Sequence, residues 1–149
     1  MISSNLKIIS LFIFAILFFS SCKEEYPTEA VPDYSGKWEG LASDGGQLGT
    51  GGLSVFTLNL SQAGKNISGS VTIRKAVSAD SYSGTITGKI VSSGGLYGLE
   101  SNFVLLINSC NVSVTLTAVK NYGRLVGSFN GTNDCKGKIT GGTLVLDKK

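Results

Sequence analysis

The sequence predicts an all-β protein: about eight antiparallel strands in a meander, closed into a small β-barrel, with a two-sheet sandwich as the alternative. Three observations predict it. Apolar and polar residues alternate with period two through most of the chain after residue 35. Those runs recur at nearly even spacing and are separated by short turns, with all 20 glycines lying after residue 35. No amphipathic helix longer than two turns can be drawn there. Closure into a barrel is favoured because it removes exposed sheet edges.

The first predicted strand is Lys37 to Ala42. Ser43 to Gly52 holds five glycines in ten residues and is expected to be a mobile hairpin loop. Val55 to Gln62 alternates strictly, with Phe56, Leu58 and Leu60 on one side. Ala63-Gly64-Lys65-Asn66 turns the chain, and Ile67 to Ile73 follows with Ile67, Val71 and Ile73 inward. The fourth strand, Ser83 to Val91, puts Ile86 and Ile90 inward. Phe103 to Ile107 is a denser apolar run, expected to be covered on both faces or to lie at a barrel seam. Asn111 to Lys120 turns in Val112, Val114, Leu116 and Ala118, and Leu125 to Asn130 turns in Leu125 and Phe129. The last strand, Lys138 to Asp147, points Leu144 and Leu146 inward, and its Gly141-Gly142 pair predicts a bulge. The predicted inward set is large enough to fill an eight-strand barrel, though such a barrel can also hold one small ligand.

The first 34 residues differ from the rest. After Lys7, the 12 residues from Ile8 to Phe19 are apolar except for Ser10. As a helix they would span about 18 Å, too short for a bilayer core of about 30 Å. This is the pattern of a secretory signal's apolar region. Ser20 and Ser21 then precede Cys22. The arrangement resembles the lipobox of bacterial lipoproteins, which implies cleavage before Cys22 and acylation of its thiol. The alternative is an ordinary signal with a chance cysteine. Lys23, Glu24 and Glu25 resemble the Lys-acid-acid surface-export signal of some Gram-negative lipoproteins. The likeness implies an outer-membrane protein, exposed at the cell surface, with the membrane as its first partner. The expected organisation is a signal peptide over 1–21, a lipidated cysteine and flexible tether over 22–34, and a barrel domain over 35–149.

With Cys22 acylated, Cys110 and Cys135 remain as an even pair. Outside the cytoplasm such a pair is expected to form a disulfide. The chain has no histidine, so His-based nucleophile systems and imidazole metal sites are excluded. No carboxylates show Ca²⁺-loop spacing, and the Gly-rich loop lacks a phosphate loop's Gly-Lys-Ser/Thr ending. No catalytic residues, metal or cofactor are expected. The net charge of +3 is scattered and forms no basic stripe, so a nucleic-acid partner is not expected.

Gly36-Lys37-Trp38 is similar to the Gly-x-Trp opening of calycin barrels, the lipocalins and avidins. The likeness implies that Trp38 closes one barrel end or touches a ligand, and that a late basic residue stacks on it. Arg124, the sole arginine of the C-terminal half, is the candidate for that role. A core plug is the alternative for Trp38. The functional expectation is a barrel that binds a small apolar or glycan ligand. The alternative is a structural or interaction module that meets another envelope protein.

Overall fold

The computed structural model of the chain describes residues 30–149. Eight strands run in order: β1 (Gly36–Ser43), β2 (Leu53–Ala63), β3 (Asn66–Lys75), β4 (Ser81–Ser93), β5 (Leu96–Ile107), β6 (Cys110–Asn121), β7 (Arg124–Asn133) and β8 (Gly137–Lys148). Each pairs antiparallel with its neighbours, and β1 pairs with β8, so the meander closes. Tight turns fix this connectivity. Ala63 faces Asn66, Ser93 faces Leu96, Ile107 faces Cys110 and Asn121 faces Arg124, each pair joined by a two-residue turn.

The alternation resolves as its period requires. Every strand sends apolar side chains inward, and all the inward residues expected from the sequence are buried. Phe56 lies at the centre, stacked on Phe129 at 5.5 Å and edge-on to Phe103 at 6.3 Å. The predicted bulge in β8 is present: Phe129 faces Gly142 but Gly131 faces Ile139, so β8 carries one extra residue. Gly141 takes it up at φ +70°, a conformation a side chain would resist.

One expectation needs correction. Val104 and Leu106 are not covered: they are 57% and 61% exposed, while Phe103, Leu105 and Ile107 point inward. The dense run is an ordinary alternating strand whose outward positions are also apolar. The Gly-rich stretch between β1 and β2 folds back onto the barrel, with Leu48 fully buried.

Candidate functional site

The barrel has two ends. The proximal end carries the start of β1, the end of β8 and the turns β2–β3, β4–β5 and β6–β7. The distal end carries the other three turns and the Gly-rich loop.

The proximal end is closed by the segment leading into β1. Tyr34 and Trp38 are both fully buried, and the Trp38 Nε1 donates to the Tyr34 carbonyl at 2.8 Å. Gln62 of β2 clamps this segment from both sides. Its Oε1 accepts from the Tyr34 N–H at 2.7 Å, and its Nε2 donates to the Pro32 carbonyl at 3.1 Å. The Tyr34 hydroxyl donates to the Tyr97 carbonyl at 3.2 Å, and Lys120 Nζ donates to the Asp33 carbonyl at 3.0 Å. Burial pushes the Tyr34 phenol above its ordinary value. The compact unit therefore begins at Val31, and the last residues read as tether form the barrel's lid.

The distal end is closed by the Gly-rich loop. Asp44 is buried and accepts from the Leu48 and Gly46 N–H groups, an Asx-type clasp that curls the loop inward. Asn133 holds it from β7, its Nδ2 donating to the Gln47 and Leu48 carbonyls at 3.2 Å. Beside it Cys110 and Cys135 form a disulfide, with Cα atoms 5.8 Å apart. Glycine content identifies this stretch as a loop, but the clasp between Asp44 and Asn133 joins residues far apart in sequence and turns it into a plug.

Between the two lids, the interior offers little to a polar ligand. Asp44, Thr50, Ser54 and Asn133 are buried within the distal loop's own bonds. Ser101 lies opposite Gly88, and its Oγ has no hydrogen-bond partner. Among the described residues no group of acidic or thiol side chains could hold a metal ion.

The structure separates Trp38 from Arg124. Leu125 points inward, so Arg124 points outward, where its Nε pairs with Asp147 at 2.8 Å. The basic group over Trp38 is Lys148, its Nζ 5.5 Å from the ring centroid. Lys148 is in phase with the inward Leu144 and Leu146 and directly opposite Trp38, a signal readable in the sequence. Cys22, Lys23, Glu24 and Glu25 lie outside the described residues.

The outer wall carries a pattern the sequence did not expose. Val55 faces Leu41, Leu41 faces Val145, Val145 faces Val126 and Val126 faces Val119. Across β5 the row continues through Gly98, where an added Cβ would lie 3.8 Å from Val119 and 3.9 Å from Val91. A continuous apolar stripe thus climbs diagonally across seven strands, from the distal end to the proximal one. It runs between the charged row of Glu39, Asp147 and Arg124 and the hydroxyl row of Ser43, Thr143, Ser128 and Thr117. Leu41, Val145 and Val119 are exposed and the other members half-buried, and apolar outer surface of this kind marks contact sites. At Gly98 the missing side chain leaves a notch of about 310 Å³ between Val91 and Val119, with Leu96 and Tyr97 at its rim. A second groove of about 380 Å³ runs from Leu96 and Tyr97 to Pro32 and Lys120.

Charge is uneven between the ends. Proximally, Lys37, Lys65, Lys120, Arg124, Lys148 and Lys149 stand against Asp33, Glu39 and Asp147, an excess of three cations. Distally, Arg74, Lys75, Lys136 and Lys138 stand against Asp44, Asp80 and Asp134, an excess of one. The proximal carboxylates are held by their neighbours. Lys37, at 3.3 Å, keeps Glu39 below the usual carboxylate range, and hydrogen bonds from Ser35 do the same for Asp33.

Compared with known protein families, curated proteins and solved structures, the chain matches none.

Proposed function

We propose that this chain is a surface-exposed outer-membrane lipoprotein of a Gram-negative bacterium, held by acyl chains on Cys22, whose barrel serves as a non-catalytic interaction module of the cell envelope. The observation that carries this reading is the contrast between inside and outside. The interior is filled by side chains from all eight strands and capped at both ends. The continuous apolar surface lies on the outer wall. A partner protein therefore meets the wall at the stripe. A photo-crosslinking residue placed at Val126 should give a specific protein adduct in living cells. One placed at Thr117, in the adjoining hydroxyl row, should not. Adducts of equal yield at both sites, or at neither, would refute the reading.

The notch at Gly98 favours a second reading, in which a small apolar ligand binds the wall between Val91 and Val119. Gly98→Ala adds a methyl that meets only ordinary contacts, the nearest the Ala118 carbonyl oxygen at 3.5 Å. Under this reading native mass spectrometry shows a small-molecule adduct that Gly98→Ala weakens. A protein that carries no adduct removes the reading.

A further inference from the structure

We infer that the proximal end of the barrel is a lipid-docking face, pressed onto the headgroup region of the membrane in which the protein is anchored. The inference rests on the lipid-anchor reading of Cys22 and adds an orientation to it.

Chain geometry comes first. The folded unit begins at Val31, at the proximal end, and Cys22 is nine residues earlier. Nine residues span at most about 32 Å, comparable to a small domain's own diameter, so the proximal end is the one held near the bilayer. The second observation is what that end displays. Leu96 follows the β4–β5 turn and is 77% exposed, and Tyr122 sits at the tip of the β6–β7 turn and is fully exposed. Tyr122 also has φ +45°, a left-handed conformation that glycine or asparagine adopts readily and a bulky residue rarely does. Nothing in the barrel's own packing requires an aromatic ring there. A tyrosine at one turn tip and a leucine just after the neighbouring turn are the residue types that sit at the interface between headgroups and acyl chains. The third observation is charge. The same end has an excess of three cations, against one at the far end, and cationic rims favour anionic lipid surfaces. The groove between Leu96, Tyr97 and Lys120 puts an apolar floor beside an ammonium group, matching an acyl chain below a phosphate.

The test uses the mature lipidated chain reconstituted into vesicles of phosphatidylethanolamine and phosphatidylglycerol. Tyr122→Trp places an indole at the turn tip, and the signal of buried Trp38 is subtracted using the wild-type protein. In a chain that floats with the vesicles, the emission of the new indole should shift to the blue and be lost when the lipids carry bromine near the headgroup. Leu96→Asp should reverse both effects without releasing the protein from the vesicles. A chain that floats while the indole keeps its solvent-exposed emission overturns the docking face and leaves the anchor standing. A mature chain that does not float overturns the anchor, and the docking face with it.

Discussion

Gly69 shows how closely single residues are constrained in this barrel. An added Cβ there would lie 1.9 Å from the Asn59 carbonyl oxygen on the neighbouring strand. Backbone cannot yield as a side chain can, so Gly69→Ala should lower stability by about 1–3 kcal/mol. Gly98→Ala, which meets no such contact, should lower it little or not at all. Urea midpoints of the two variants provide the comparison, and equal midpoints would contradict the geometry. Tyr34 supports a second prediction at this scale. Its phenol is raised above the ordinary value of 10.0 by burial, so folding favours the neutral form. That contribution is complete below the ordinary value and is lost as pH rises through the folded one. The melting temperature of the wild type should therefore fall more steeply in alkaline buffer than that of Tyr34→Phe. Parallel pH slopes would show that Tyr34 is not the group responsible.

Among the elements, the distal loop and its disulfide act together. Cys110 opens β6 and Cys135 lies in the turn between β7 and β8, 25 residues apart. Closing a loop of that length contributes about 3 kcal/mol through the unfolded chain's lost freedom. Reduction should therefore lower the melting temperature clearly while the β-sheet circular dichroism and the Trp38 emission at room temperature stay unchanged, because the proximal lid does not depend on the bridge. A reduced protein that melts at the same temperature would show that the bridge adds nothing. The loop beside it shows the limit of local reading. Five glycines in ten residues mark it as irregular, and that is correct. Its conversion into a plug needs Asn133, 85 residues from Leu48, and no local pattern carries that distance.

At the scale of the whole molecule, the proposed lipid anchor makes Lys23, Glu24 and Glu25 the residues that bear on which side of the membrane the barrel faces. Replacing Lys23, Glu24 and Glu25 by alanine should leave lipidation intact and withdraw the domain from the cell surface, as read by protease accessibility on whole cells. Unchanged accessibility would remove the surface signal. The docking face belongs to this scale as well, since it joins turns from β4–β5 and β6–β7 with the segment before β1.

The sequence by itself determined the strand number, the inward faces of β2, β3, β4, β6, β7 and β8, the β8 bulge and the pairing of Cys110 with Cys135. Period-two alternation is a local property of the backbone, and once Cys22 is read as acylated the two remaining cysteines have only each other. The role of Lys148 was also legible, because it continues the phase of Leu144 and Leu146, whereas Arg124 is out of phase with Leu125. Only the tertiary structure decided that Val55, Leu41, Val145, Val126 and Val119 line up into one stripe. Each is an isolated outward aliphatic residue along its own strand. Their adjacency depends on the stagger between strands, and that stagger is set by turn lengths and by closure of β1 onto β8. Register is a non-local quantity, and the barrel's outer face is written in it.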